Sequence, residues 1–178
     1  MKKRLVFISS VQKEFKRQRR MLADYIRADA LLGRFFEVFL FEDIPADGKR
    51  ADDVYLDEVK LCDVYLGIFG DEYGTQDSGG KSATHREFEQ ATSSGKHRLI
   101  FVKGAGDADK HAGMQALVKL AGEQAIRRRF VTSIELQTGV YASLVQYLIE
   151  QGAVRTGPFD ASACNKAALT DLDEEKIR

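Results

Sequence analysis

Residues 63–102, DVYLGIFGDEYGTQDSGGKSATHREFEQATSSGKHRLIFV, decide the fold. The segment begins with the apolar run Asp63 to Phe69 and ends with the apolar run Arg98 to Val102. Between them, a glycine-rich loop leads into a helical pattern from Thr84 to Ser94. Both runs are short and continuously apolar, which is typical of strands buried on both faces of a parallel sheet. The segment therefore predicts a strand, a right-handed helical crossover and a second strand.

The same alternation continues on both sides of this unit. Toward the N-terminus, Leu5 to Ile8 and Phe35 to Phe41 predict two strands, and Lys13 to Asp29 predicts the amphipathic helix between them. Toward the C-terminus, Phe130 to Ile134 predicts a fifth strand and Tyr141 to Gln151 a closing helix. The predicted fold class is therefore α/β, with a five-stranded parallel sheet between layers of helices.

Composition limits the function classes. The chain has 178 residues, of which 44% are hydrophobic and 30% charged, as expected for one main globular domain. Lys and Arg number 27 and so do Asp and Glu, which argues against a dedicated nucleic-acid binder. The basic clusters at residues 13–20 and 127–129 are interpreted as solvated helix faces. Because no apolar run approaches the ~18 residues that span a bilayer, we expect a cytoplasmic protein without a membrane partner.

Neither a metal site nor a common nucleotide motif is indicated. Cys62 and Cys164 lie far apart, which favours free thiols in a reducing cytoplasm. His85, His97 and His111 lack metal-ligand spacing, so we expect no metal. No GxxxxGK[ST] or GxGxxG motif occurs, which argues against a Walker-type ATPase or an ordinary dinucleotide site.

Candidate site residues follow the predicted strands. In an open parallel sheet the ligand crevice lies beyond the carboxyl ends of the strands, where the strand order reverses. We therefore expect ligand contacts from small, hydroxyl and acidic side chains at this edge, joined by Asp63, which directly precedes the third strand and could orient a sugar hydroxyl. The candidates are Ser9, Ser10, Glu42, Asp43, Gly70, Asp71, Tyr73, Gly74, Ser82, Thr84 and Glu87.

Four of these candidates also have a purely structural interpretation. Ser10 could hold a phosphate or ribose, or it could cap the first long helix. Glu87 could act on a sugar, or it could close a capping box with Thr84. Tyr73 could stack on a base or pack at the sheet edge, and Asp63 could serve as a turn or cap.

The predicted domain boundary lies near residue 154. Residues 1–154 form the α/β domain, and residues 155–178 are interpreted as a linker and the start of a following regulatory domain, because Gly157-Pro158 breaks the pattern. The segment Leu169 to Arg178 has the acids and polar residues of a helix beginning, which suggests a longer protein. The alternative is a frayed tail.

An ordered set of motifs resembles a bacterial family of unknown function. The motifs are Val6-Phe7-Ile8-Ser9-Ser10, residues 62–70, Tyr73-Gly74 and residues 82–91. Members of that family carry this domain at the N-terminus of larger proteins, ahead of ATPase-like, regulatory or DNA-binding modules. The resemblance implies a sensing or processing domain of a regulatory, transcriptional or defence protein whose C-terminal domain is missing here.

More distantly, the chain is similar to nucleoside 2-deoxyribosyltransferases and to TIR domains. That resemblance implies a flavodoxin-like, three-layer α/β/α fold. The pattern T-x-x-E-x-x-x-A places those proteins' catalytic glutamate on Glu87. It implies a small nucleotide-like ligand, with NAD or another nucleotide as the candidate. Three functions stay open: nucleotide or nucleoside sensing and processing, hydrolysis or transfer at an N-glycosidic bond by Glu87, and TIR-like assembly into a homo-oligomer.

Overall fold

The computed structural model describes residues 2–43, 51–155 and 157, over which strands and helices alternate. The strands are β1 (Arg4–Ser10), β2 (Phe36–Phe39), β3 (Val64–Phe69), β4 (His97–Lys103) and β5 (Arg127–Phe130). The helices are α1 (Gln12–Ala28), α2 (Leu32–Phe35), α3 (Ala51–Leu61), α4 (Ala83–Ser93), α5 (Ala112–Gln124) and α6 (Ser133–Glu150). A turn of 3-10 helix, Phe41–Asp43, follows β2. Of the helices in these ranges, none is long and apolar enough to cross a membrane.

All strand pairs are parallel, and the order across the sheet is β2-β1-β3-β4-β5. This is the flavodoxin-like order, so the predicted fold class is confirmed. The order reverses between β1 and β3, because β2 lies on one side of β1 and every later strand lies on the other. Such a reversal opens a crevice at the carboxyl ends of the two central strands.

Helices cover both faces of the sheet. On one face, Phe88 of α4 meets the rings of Tyr65 and Phe69 edge to face, at centroid distances of 6.3 and 6.0 Å. On the other face, α6 approaches β4 closely at Gly139, where a Cβ would lie 2.8 Å from the ring of Phe101. Burial of these aromatic rings on both faces explains why the central strands are apolar throughout.

The fifth strand begins at Arg127 rather than at Phe130. β5 is an edge strand, and its three arginines are exposed while only Phe130 is buried. Arg129 pairs with Asp107 at 2.6 Å. Ile134, which the sequence predicts in this strand, lies in the first turn of α6 and is 77% exposed. The prediction of a helix face for residues 127–129 is therefore wrong, because the edge position lets a strand carry solvated charges.

The chain divides into two compact units, residues 1–145 and 146–178. The first unit contains the whole sheet and the pocket described below. Of the second unit, residues 146–155 and 157 are described; they comprise the end of α6 and a turn in which Gly152 has φ 65°. Apart from residues 155 and 157, the predicted linker and the predicted helix beginning lie outside the described residues. The domain boundary near residue 154 therefore stays a prediction.

Candidate functional site

A pocket of about 750 Å³ opens at the carboxyl ends of β1 and β3, where the strand order reverses. Its lining comes from the end of β1 and the start of α1, from residues 71–75, and from the start of α4. His111, just before α5, completes it. The volume lies within the range of small-molecule sites, and the position is where open parallel sheets bind ligands.

Glu87 lines this pocket although its side chain is only 5% exposed. It faces inward because α4 buries residues at three- and four-residue spacing: Thr84, Glu87, Phe88 and Ala91. The hydroxyl of Ser9, at the end of β1, donates to Glu87 Oε2 at 2.5 Å. Burial of a carboxylate is unfavourable unless it is hydrogen-bonded, and Ser9 supplies such a bond. The structure therefore holds a carboxylate in the pocket wall in a fixed orientation.

The helix that carries Glu87 is capped by Ser82. The backbone of Ser82 is extended, and its Oγ accepts a hydrogen bond from the His85 N–H at 3.3 Å. A capping box with Glu87 would need Thr84 at the cap position, whereas Thr84 lies inside the helix. The capping-box interpretation of Glu87 is therefore wrong.

Ser10 lines the pocket and is held by a buried arginine. Arg19, 3% exposed, donates from Nη1 to the carbonyl of Ile8 at 2.8 Å and to Ser10 Oγ at 3.2 Å. Its Nε and Nη2 donate to the Glu42 carboxylate at 2.7 and 2.9 Å. Ser10 does not cap α1, whose cap residue is Val11 without a side-chain hydrogen bond. Arg19 is therefore not on the solvated face that the sequence predicts, and Glu42 is its partner.

The segment after β3 is tied to α1 and β4 by charged side chains. The Glu14 carboxylate accepts from the backbone N–H groups of Asp71 and Glu72, each at 3.0 Å, and from Lys103 Nζ at 2.9 Å. The Asp71 carboxylate accepts from Lys103 at 2.7 Å and from Lys110 at 3.0 Å. The hydrogen bond from Lys103 lowers the pKa of Asp71 most, and the hydrogen bond from Lys110 lowers it further. Residues 71 and 72 of the pocket wall are therefore held by Glu14 of α1 and by Lys103 of β4.

Gly70→Ala is expected to loosen that wall. A Cβ at Gly70 would lie 2.2 Å from a Glu14 carboxylate oxygen, so the carboxylate would have to move away from the Asp71 and Glu72 N–H groups. The loss of such charge-assisted bonds costs about 1.5–3 kcal/mol each, part of which water recovers. We expect a lower urea midpoint with an unchanged m-value. Gly106→Ala is the matched control, since a Cβ at Gly106 meets nothing within 4 Å; equal midpoint shifts in the two variants would contradict the expectation.

Tyr73 is packed inside the protein. It is 5% exposed, and its hydroxyl lies 2.7 Å from His85 Nδ1. Burial lowers the pKa of His85, so we assign the bond as the Tyr73 O–H donating to the neutral ring. The ring of His111 lies parallel to that of Tyr73, with centroids 5.4 Å apart. The packing interpretation of Tyr73 fits this geometry, and His111 presents the more exposed ring to the pocket.

Most of the predicted ligand residues meet at the pocket; those that do not line it are Ser9, Glu42, Asp43, Asp63 and Gly70. The pocket-lining members are Ser10, Asp71, Tyr73, Gly74, Ser82, Thr84 and Glu87. Ser9 joins them through its bond to Glu87, and Gly70 lies under the Glu14 carboxylate. Asp63 lies at the opposite end of β3, where its carboxylate accepts the Leu5 N–H at 2.8 Å. Asp63 therefore joins the start of β3 to β1, and the structure does not bring it to the pocket.

The predicted crevice residue Asp43 is likewise engaged elsewhere. Its carboxylate accepts from Arg20 at 2.7 Å and from Arg27 at 3.0 Å, both on α1. Both hydrogen bonds lower the pKa of Asp43, and the one from Arg20 has the larger effect. Asp43 is not among the pocket-lining residues. It joins the 3-10 turn to α1.

The described residues offer neither a metal centre nor a reactive thiol. Within residues 2–43, 51–155 and 157, no three His, Cys, Asp or Glu side chains are grouped so that they could hold a metal ion. Cys62 is buried, and burial raises its pKa to about 11, so the thiol stays protonated at neutral pH. Cys164 lies outside the described residues. Among the carboxylates that line the pocket, Glu87 is the buried one, whereas Asp71 and Glu72 are exposed.

Three solved structures have a similar fold at low sequence identity. The CMP N-glycosidase of Clostridium botulinum is 13% identical, with 79% of this chain and 98% of that chain covered and a TM-score of 0.47. The 2-desoxiribosyltransferase of Leishmania mexicana is 16% identical, with 69% and 99% covered and a TM-score of 0.37. Oxidised flavodoxin 1 of Bacillus cereus is 14% identical, with 78% and 95% covered and a TM-score of 0.40. At these identities the similarity concerns the fold alone.

Sequence comparison identifies the family. No curated protein matches the chain. Residues 5–145, which include every pocket-lining residue and all of the sheet except Arg4, match the family described as "Domain of unknown function (DUF4062)". The chain therefore belongs to this family of unknown function.

Proposed function

We propose that the pocket binds a nucleoside or nucleotide and that Glu87 acts on the anomeric carbon of its sugar, so that the N-glycosidic bond is cleaved. One observation carries this proposal: a carboxylate that is 5% exposed lines an open pocket of ligand size. The other carboxylates that line the pocket, Asp71 and Glu72, are exposed to solvent, and that of Asp71 is paired with Lys103 and Lys110. The T-x-x-E-x-x-x-A pattern that resembles the deoxyribosyltransferase motif lies on the same helix, at residues 84–91.

The chemistry needs a fixed negative charge beside the sugar. As the bond between C1′ and the base nitrogen breaks, its electron pair leaves with the base, and positive charge develops on the ring. The Glu87 carboxylate either bonds to C1′ or stabilises that charge. Water then supplies the oxygen of the new C1′ hydroxyl. One proton of the water stays on that hydroxyl, and the other neutralises the negative charge of the released base. Ser9 holds one carboxylate oxygen and so fixes the direction of the other.

A sensing function is the second candidate, and it would use the same pocket without chemistry. It is favoured by the way residues 71–75 are bonded to the rest of the domain. The Asp71 and Glu72 N–H groups bond to Glu14 of α1, and the Asp71 carbonyl accepts the His111 N–H at 2.9 Å, next to α5. A ligand that moves this segment would therefore move two helices. A following domain, a regulatory or defence context and self-assembly stay predictions of the sequence.

The test is a base-release assay on the full chain. The protein is incubated with NAD, the common nucleosides and their 5′-monophosphates, and free base is followed by chromatography, with a thermal-shift measurement on every compound. We expect at least one compound to release its base. Thermal shifts without any base release would exclude the enzyme and favour the sensor. Neither shift nor release, together with concentration-dependent oligomers, would favour an assembly domain.

A further inference from the structure

Two aromatic rings of different exposure lie against one another in the pocket wall. Tyr73 is buried and His111 is exposed, and both line the pocket. Their planes are parallel to within 2°, and the centroid distance of 5.4 Å makes this an offset stack. Tyr73 covers one face of the His111 ring. A flat ligand in the pocket would therefore meet an aromatic surface that has a second ring behind it.

Three contacts hold the pair in place. The Tyr73 hydroxyl is bonded to His85 at 2.7 Å. The backbone of Gly113 packs so closely on the Tyr73 ring that a Cβ would lie 2.7 Å from two of its carbons. His111 Nδ1 accepts the Gly113 N–H at 3.1 Å, which fixes the rotation of the imidazole and places the proton of the neutral ring on Nε2. Because both rings are already ordered, little side-chain entropy would be lost when a ligand stacks on them.

We propose that the His111 ring is the platform on which the nucleobase of the bound nucleoside stacks. This inference rests on the proposed function, because it assigns the base to one wall of the same pocket. Stacking tolerates different bases, since purines and pyrimidines both present a π-face. The platform therefore explains affinity for the base as a chemical class, and it contributes nothing to binding of a sugar without a base.

Two substitutions at this position separate the ring from the hydrogen bond. His111→Phe keeps an aromatic ring and loses the acceptor for the Gly113 N–H. His111→Asn keeps a side-chain acceptor at the start of α5, where Asn is a favourable cap, and has no ring. Because His111 is exposed, we expect both variants to fold. The full chain and both variants are titrated with adenosine, cytidine, uridine and ribose by calorimetry.

We expect His111→Phe to bind the nucleosides within a few-fold of the wild type. His111→Asn should bind them about 5- to 150-fold more weakly, the factor that base stacking on one aromatic side chain gives. Ribose affinity should be the same in all three proteins. The platform would be excluded if all three proteins bound nucleosides with equal affinity, or if His111→Phe bound them as weakly as His111→Asn. A wild type that binds no nucleoside would exclude it as well.

The same titration keeps the two proposals apart. Ring-dependent nucleoside binding without base release would leave the platform standing and remove the enzymatic function. Base release with the same KM in the wild type and in His111→Asn would support the enzymatic function and exclude the platform. Both results follow from measurements on the same preparations.

Discussion

Replacement of Arg19 by methionine is expected to lower the free energy of unfolding by about 2–4 kcal/mol, because it removes charge-assisted hydrogen bonds to the partly exposed Glu42 and a side-chain donor to the buried Ile8 carbonyl. Methionine fills most of the volume, so the loss comes from hydrogen bonds and charge. The Glu42 carboxylate would lose both of its bonds to the guanidinium, and the Ile8 carbonyl would lose its side-chain donor. The end of β1, which lines the pocket through Ser10, would lose its link to α1.

Chemical denaturation of the full chain measures this effect. Arg20→Met is the matched control, because Arg20 is the next residue of the same basic cluster and pairs with Asp43 at 2.7 Å in an exposed position. Solvent screens such a pair, so we expect a far smaller shift of the unfolding midpoint. Shifts of similar size in the two variants would show that Arg19 is not the buried anchor described above.

If the proposed function holds, Glu87→Gln is expected to lower kcat for base release by a factor of about 1,000 or more, since the carboxylate proposed to act on the anomeric carbon is removed. Glutamine has nearly the same shape and keeps an oxygen that can accept the Ser9 hydroxyl proton. The variant should therefore fold and bind the nucleoside like the wild type. What it loses is the negative charge that the proposal places beside C1′ as the base leaves.

Glu89→Gln is the control for this substitution. Glu89 lies on the same helix, and its carboxylate, 40% exposed, pairs with Lys81 at 2.7 Å. We expect its kcat and KM to stay near the wild-type values. Steady-state rates and thermal midpoints are measured for all three proteins. A Glu87→Gln variant that keeps most of its kcat would exclude Glu87 as the group that acts on the sugar.

The sheet could be predicted where burial is local and continuous. β3 is buried at every position, so its apolar run predicts a strand without further information. β5 could not be found in this way, because an edge strand exposes one side to water and tolerates Arg127, Arg128 and Arg129. The apolar residues after it belong instead to the loop and to α6.

The missed anchor, Arg19, did leave a signal in the sequence. It falls on the buried stripe of α1, together with Phe15, Leu22 and Ile26, at spacings of three and four residues. A basic residue on an apolar stripe indicates that an acidic partner reaches it there, and this partner is Glu42. Its basic neighbours in residues 13–20 conceal this signal.

Other parts of the site depend on contacts that local sequence does not encode. Two hydroxyls, Ser82 and Thr84, could each cap α4, and a bridge between Gln76 and Ser82 keeps the chain extended as far as Ser82. His111 reaches the pocket because the polar segment between β4 and α5 folds back to Asp71. No periodicity in residues 104–111 indicates that return.

The most direct test of the account is the crystal structure of the Glu87→Gln variant with a bound nucleoside that the wild type cleaves. The quantity to measure is the distance from the anomeric carbon, C1′, to the side-chain oxygen of residue 87. The proposed role of Glu87 predicts a distance of about 3–3.5 Å, the separation of reacting atoms in a near-attack complex. A nucleoside bound elsewhere, or held in this pocket with its anomeric carbon out of contact with residue 87, would contradict it.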